Sequence, residues 1–229
     1  MMRTLRDAIE GFEHDATVKV AVIRHDGKVF SSGHDLKEII LQQNATGTTE
    51  PVFSECSRLM LAVRKARFPV IAEVAGLATA GGCQLVAACD LAVAAVSATF
   101  STPGVKIGLF CTTPGVALAR AMPAKHAMGM LLTGDALTAQ QALMCGLVSH
   151  VVAAGDLRAE TAALAHKIAQ APTETVRIGK AAFYTQAAMD HLPSAYEFGQ
   201  QVMIDNMCIP DAIEGITAFI EKRPPSWYS

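Results

Sequence analysis

The residues of this chain that could do chemistry concentrate in one short run, Ala80-Gly81-Gly82-Cys83-Gln84, where glycines lead from a strand-connected loop into an apolar helix. A buried helix start presents N–H groups without intrahelical partners, with the positive end of the helix dipole behind them. A carbonyl oxygen that becomes an oxyanion is a fitting acceptor for such groups. Gly81 is the natural donor, because a residue with no side chain lets a ligand come close. The same Gly-Gly pair would also serve plain helix packing, so the run alone is a weak signal. Gln84 lies three residues beyond Gly81, on the ligand-facing side of the helix, and would reach atoms next to a bound carbonyl. Its amide can orient a water but does not titrate, so it cannot act as a carboxylate base.

Other reactive side chains are more scattered. Glu73 is a charge inside the apolar strand PVIAEVAG, where a buried carboxylate needs a partner or a raised pKa. A salt-paired structural acid is its plainer reading, and a reserve general base is the alternative. Cys83 and Cys111 have no histidine near them in sequence and read as small buried hydrophobes rather than nucleophiles. His34, beside Asp35, could be called a general base, but a loop histidine in that setting is more often a solvated or nucleotide-edge residue. There is no glycine-rich phosphate loop ending in Lys-Ser/Thr, no H-E-x-x-H and no G-x-S-x-G, so common nucleotide or metal hydrolysis is not supported.

The elements that must position these residues follow from the hydrophobic pattern. Met2, Leu5, Ala8, Ile9 and Phe12 repeat at helical spacing, so the N-terminus reads as a helix rather than a targeting peptide. Val18–Ile23 reads as a buried strand, and FSSGHDLKE as a loop running into a helix near Asp35. Gln42–Pro51 has no apolar periodicity and is expected to be a mobile loop beside a pocket. A helix over Phe53–Arg67, a strand over Pro69–Gly76, an all-round apolar helix after Gly81, and short strands at Leu91–Ala95 and Ala98–Phe100 follow. From Thr112 the pattern turns helical, with one strand at Leu147–Val152 and long helices starting near Leu157, Thr173, Ser194 and Asp211. Residues 1–155 are thus expected to form an α/β core and 156–229 a helical C-terminal region.

Composition bounds the partners. With 51% hydrophobic and 17% charged residues in 229, there is more apolar material than a small monomer needs, which points to a subunit interface. A net charge of -2 with scattered basic residues argues against nucleic acid or an anionic membrane surface. The six cysteines contain no C-x-x-C pair, so reduced thiols and no metal site are expected. The longest apolar stretch, 70–100, is interrupted by Glu73, Gln84 and Asp90 and reads as core rather than as a membrane span.

FSSGHDLKE, PVIAEVAGLATAGGCQLVAACDLAVA, the TPG turn at Thr102–Gly104, LLTGDALTAQQALMCGLVSHVV and EGITAFIEKRPPSW, in that order, resemble the enoyl-CoA hydratase/isomerase (crotonase) superfamily. The resemblance implies the crotonase (ClpP/crotonase-like) α/β fold of repeated ββα units, with residues 156–229 forming a helical trimerisation region. It implies a homotrimer or dimer of trimers, an acyl-CoA thioester as ligand or substrate in fatty-acid metabolism, and no separate cofactor. It also implies strands before the first helix that this sequence does not present.

By motif, the resemblance places an oxyanion hole at the backbone N–H groups of Ser32 and Gly81. It places coenzyme A against Phe30, Ser32, His34, Asp35 and Leu36, with Phe219 and Lys222 covering the nucleotide end from a neighbouring subunit. Two positions depart from the family's hydratases, in which Gln84 and Gly104 would both be glutamates. Hydration needs a base for water and an acid for the α-carbon, each worth on the order of 10²- to 10⁴-fold. An oxyanion donor, worth roughly 2.7 to 4 kcal/mol, does not replace them. The helix after the GL turn, GLFCTTPG, supplies no carboxylate instead. The expectation is therefore an acyl-CoA binding protein with little classical hydratase activity. The alternatives are an active lyase or isomerase using Glu73 or a Gln84-bound water, and a non-catalytic oligomeric scaffold. Such a protein would sit in the cytoplasm of a bacterium or the mitochondrial matrix of a eukaryote.

Overall fold

The computed structural model describes residues 1–229. The chain begins with α1 (Met2–Phe12) and then winds through three turns of similar build. The first comprises β1 (Ala21–Ile23), β2 (Val29–Ser31), α2 (Leu36–Thr46) and α3 (Glu50–Lys65). The second is β3 (Val70–Val74), β4 (Leu77–Thr79) and α4 (Gly81–Ala88). The third is β5 (Leu91–Ala95), β6 (Thr99–Ser101), a 3-10 turn at Pro103–Ile107, α5 (Thr112–Ala121) and α6 (Ala124–Thr133). Then come β7 (Leu137–Thr138), α7 (Ala139–Met144), β8 (His150–Val152), α8 (Leu157–Ala169), α9 (Thr173–Gln186), α10 (Leu192–Met207) and α11 (Pro210–Glu221).

Each turn contributes one strand to each of two sheets. One sheet is parallel throughout, in the order β1-β3-β5-β8; the other runs β2-β4-β6-β7 with only β7 antiparallel. The turns stack so closely that a Cβ on Gly76, between β3 and β4, would lie 2.0 Å from the Lys28 carbonyl oxygen. All five residues of β3 are buried, because α4 and the main core cover one face and α8 the other. This two-sided covering is why the strand reads as a continuous apolar run rather than an alternating one.

Three short strands, β2, β4 and β7, were not expected, since two or three residues carry no periodicity. The expected loop over Gln42–Pro51 is mostly helical: α2 continues to Thr46 and α3 begins at Glu50. The break is confined to Gly47, Thr48 and Thr49, with Gly47 ending α2 at φ 72° and Pro51 in the first turn of α3. The misleading signal has a plain cause, for α2 buries none of its residues and so needs no apolar stripe.

The helices after Val152 fall into two kinds. α8 packs on the sheet, with Leu157, Leu164, Ala165 and Ile168 against Ile71, Val93 and Ala95. α9 and α10 bury no residue within the chain, and α11 buries only Asp211 and Ala218. Phe183, Leu192, Met203, Ile213, Phe219 and Ile220 stand exposed on them. α9 is pinned to the body by Lys180, whose Nζ donates to Asp90 Oδ2 at 2.7 Å, Phe68 O at 2.9 Å and Val63 O at 3.1 Å. Asp90 also accepts from the Tyr184 hydroxyl at 2.8 Å and from Val70 N–H at 2.7 Å. The C-terminal tail folds back on α11 through Asp211, which accepts from Tyr228 N–H and the Ser229 hydroxyl, both at 2.6 Å.

Candidate functional site

Two backbone loops meet at the C-terminal ends of β2 and β4. Gly33 follows β2 with φ 87°, a conformation that favours glycine, and its N–H donates to Ser31 Oγ at 3.2 Å. A Cβ on Gly33 would lie 2.9 Å from Ala80 Cβ and 3.0 Å from Gly81 N. The Ser31–Gly33 loop and the start of α4 are therefore in van der Waals contact. Ala80, at φ 51°, makes the sharp turn into α4, and its own N–H donates to Ser101 O at 2.9 Å. Beneath it the buried hydroxyls of Thr79 and Ser101 are 2.8 Å apart. α4 has no side-chain N-cap, so the N–H of Gly81 faces the loop junction without a capping partner. Gly82 is wedged against Ser31, where a Cβ would come within 2.4 Å of the carbonyl oxygen; Gly81 has room, with its nearest neighbours at 3.4 and 3.9 Å.

The junction opens on a cavity of about 1130 Å³ between α1, α3 and the β2 loop. Phe30, Ser31, Gly33, His34, Asp35, Gly81 and Leu85 line it together with Cys56 and Leu59 of α3 and Met2 and Leu5 of α1. His34 packs edge-on against Phe53, with ring centroids 5.3 Å apart. Burial pushes its pKa below the ordinary histidine value, partly offset by Glu38, so the ring is neutral beside the junction. The carboxylates around the cavity are already engaged or at its rim. Asp35 caps α2 by accepting from Lys37 N–H at 2.8 Å and Glu38 N–H at 3.4 Å, while Glu38 is exposed. Glu55 accepts from Arg6 Nε at 2.7 Å and Arg58 Nη1 at 3.0 Å. These guanidiniums, Arg6 foremost, hold its carboxyl below the usual range.

Gln84 lies directly behind this lining, 4% exposed. Its Oε1 sits 3.6 Å from Cys56 Sγ. Burial raises the Cys56 pKa to about 11, so the thiol keeps its proton and is the donor of that contact. The Gln84 amide nitrogen makes no hydrogen bond within the chain and is not among the fully enclosed orphan polar atoms. Gly104 is different in kind. It is buried in the 3-10 turn, its carbonyl accepts from Leu109 N–H at 2.9 Å, and a Cβ there would lie 2.5 Å from Leu109 O and 2.7 Å from Cys111 Sγ.

Of the residues singled out from sequence, Phe30, His34, Asp35 and Gly81 come together at the cavity; Ser32 sits exposed between the lining residues Ser31 and Gly33. Leu36 points outward, 49% exposed. Phe219 and Lys222 lie on α11 and its C-cap, away from this cavity, with Phe219 85% exposed. Glu73 corrects one expectation. It alternates with Val70, Ala72 and Val74 along β3 and pairs in register with Val93, which faces α8, so its side chain lies on the sheet face away from α4. It cannot serve a reaction at Gly81. Cys83 is buried and its pKa is pushed up to about 12, chiefly by desolvation, which leaves an inert thiol. Sequence reading passed over Cys56 and Phe53: helical spacing marks Cys56 as a core position, but its partner is 28 residues away.

Comparison with known proteins gives this geometry a lineage. The Enoyl-CoA hydratase/isomerase family profile matches residues 1–229. The chain is 49% identical over 227 residues to the human enoyl-CoA hydratase domain-containing protein 3, mitochondrial, covering 99% of this chain and 74% of that protein. The crystal structure of that human protein superposes with a TM-score of 0.91 at 50% identity, over 99% of this chain and 90% of the other. An enoyl-CoA hydratase from Mycobacterium smegmatis superposes with a TM-score of 0.94 at 44% identity, over 100% of this chain and 88% of the other. This chain belongs to the enoyl-CoA hydratase/isomerase family and has the crotonase fold.

Proposed function

We propose that this family member binds acyl-CoA thioesters, gripping the thioester carbonyl with the backbone N–H groups of Ser32 and Gly81, and that it has little or no classical hydratase activity. The observation that carries this reading is the contact between the Gly33 and Gly81 backbones at the mouth of an uncapped helix. Two amides aimed at one oxygen favour the polarised carbonyl over the neutral one. Neither Gln84 nor Gly104 can give or take a proton there, and Glu55 of the cavity wall is held ionised by two arginines. Arg3 and Arg24 at the cavity rim suit the phosphates of coenzyme A.

The exposed apolar residues of α9–α11 support assembly into a homotrimer or a dimer of trimers, which would bury them. In such an assembly Phe219 and Lys222, remote from their own chain's cavity, would close a neighbour's nucleotide site. The relatives named mitochondrial support the matrix as the site of action in a eukaryote, and cytoplasm is the counterpart in a bacterium.

Titration calorimetry with butyryl-CoA tests the reading. Binding is expected in the natural chain, and Gly81→Val, whose side chain would bar the carbonyl from the backbone N–H groups, should weaken it by about 30-fold or more, an oxyanion contact being worth roughly 2.7 to 4 kcal/mol at full charge development. Gly81→Ala, whose single Cβ meets only ordinary contacts, should keep the natural Tm and serves as the folding control. Absence of butyryl-CoA binding, or rapid hydration of crotonyl-CoA by the natural chain, would overturn it.

A further inference from the structure

We propose that His25 is a positioning residue for the oxyanion hole: it braces Phe30 and, through Phe30, the loop that carries the Ser32 N–H. This role rests on the acyl-CoA reading above and adds a residue outside the hole on which the hole depends.

The need for a brace comes from the strand that bears the loop. β2 is three residues long, lies at the edge of its sheet and pairs only with β4. Its register is irregular: Val29 lies opposite Leu77 and Ser31 opposite Ala78, so Phe30 is an extra residue with no partner on β4. Such a bulge re-aims the chain and leaves its own residue unheld by the ladder. The residues that follow at once, Ser31 to Gly33, form one side of the junction with Gly81. Gly82 is wedged against Ser31 from the α4 side, but Phe30 must be held by something other than strand pairing.

His25, in the turn between β1 and β2, supplies that hold. Its Nε2 accepts from Ala75 N–H at 3.1 Å, across to the β3–β4 turn, and its ring packs edge-to-face with Phe30, centroids 5.4 Å apart and planes at 86°. Ala75 is tied in turn to the β5–β6 corner, its carbonyl accepting from Ser97 Oγ at 3.4 Å. The ring therefore joins Phe30 to three stacked corners of the coil. Accepting at Nε2 requires a lone pair there, so the ring proton is on Nδ1. That Nδ1–H is fully enclosed and has no hydrogen-bond partner. An unmatched enclosed donor is costly and rare, and it persists only where the surrounding structure fixes the group that bears it. His25 and Phe30 both line the cavity, so this fixed pair stands in the wall that a ligand meets.

Butyryl-CoA and S-butyl-CoA, a thioether of the same length, differ only in the carbonyl oxygen, and titration calorimetry on the full chain in its solution assembly compares them. The natural chain is expected to favour the thioester, since only it offers an oxygen to the two amides. His25→Ala should cut that preference, the ratio of the two affinities, by about 5-fold, the scale of one neutral hydrogen bond. His25→Phe, which keeps a ring against Phe30 and loses the Ala75 bond, should cut it by about 2-fold, and it decides the matter if His25→Ala does not fold. The nitrogen-15 spectrum of the natural chain should show the His25 ring protonated at Nδ1. A preference unchanged in the folded variants, with both ligands weakened alike or not at all, or a ring protonated at Nε2, would overturn this inference while the acyl-CoA reading stands. A natural chain that binds neither ligand, or both equally, would remove that reading and this one together.

Discussion

The family resemblance would put glutamates of its hydratases at both Gln84 and Gly104, yet the structure treats the two positions oppositely. At Gln84 the backbone is that of an ordinary buried helix and only the side-chain chemistry has changed: an amide stands where a carboxyl would fit, anchored by Cys56. At Gly104 the surroundings have closed over the site, with the Leu109 carbonyl and the Cys111 sulfur occupying the space a Cβ would need. At position 84 a carboxyl could replace the amide within an intact frame. At position 104 the backbone path itself excludes a side chain, and one substitution cannot restore the space. On the proposed reading, the first difference is reversible and the second is not.

The sharpest way to break this comparison is Gly104→Glu. Forcing a side chain against a carbonyl and a buried sulfur should cost about 3 kcal/mol, which for a chain of this size lowers Tm by roughly 6 to 12 °C; calorimetry measures it. An unchanged Tm would show that the 109–111 segment yields easily and that the two positions are alike after all. Gln84→Glu should behave in the contrasting way, folding with little loss of stability. It should raise the slow hydration of crotonyl-CoA by up to about 10²-fold, the lower end of what a positioned base provides. A carboxyl enclosed as fully as Gln84 would be desolvated and its pKa raised, so the gained rate should climb with pH. A flat profile would show that position 84 does not face the reacting carbons.

The smallest effect belongs to His34. Its folded-state pKa lies below the ordinary 6.5 because burial disfavours the imidazolium. The unfolded chain therefore takes up the proton first, and stability is lost as pH falls below about 6.5. His34→Gln should make the decline of Tm below that pH shallower and leave Tm above pH 7.5 nearly as it was.

How much of this was legible in the sequence depends on whether a residue's role is local. The Gly81 turn, the buried helix after it and the β3 strand carry their own patterns, and the motif order carries the family and its fold. β2 and β4 do not, being three-residue strands stabilised by stacked neighbours from other turns of the chain. The start of α2 near Asp35 was legible, but its continuation through residues 42–46 was hidden for the opposite reason, having no buried face to mark it. Gln84 and Gly104 could both be read as missing glutamates, but the difference between them could not, because it lies in the path of residues 109–111. Glu73 looked like a reserve base until its register with Val93 placed it on the far face of the sheet. The Cys56–Gln84 contact joins two helices 28 residues apart, and no spacing rule announces it.

The Lys180 pin gives the molecule a mechanical property of its own. Its ammonium grips the last turn of α3, the segment entering β3 and the carboxylate before β5, so α9 cannot lift away without stripping all three at once. α3 is also the helix that presents Cys56 to the cavity. Whatever seats itself on the outer helices thus leans, through Lys180 and Tyr184, on the wall against which an acyl chain would rest.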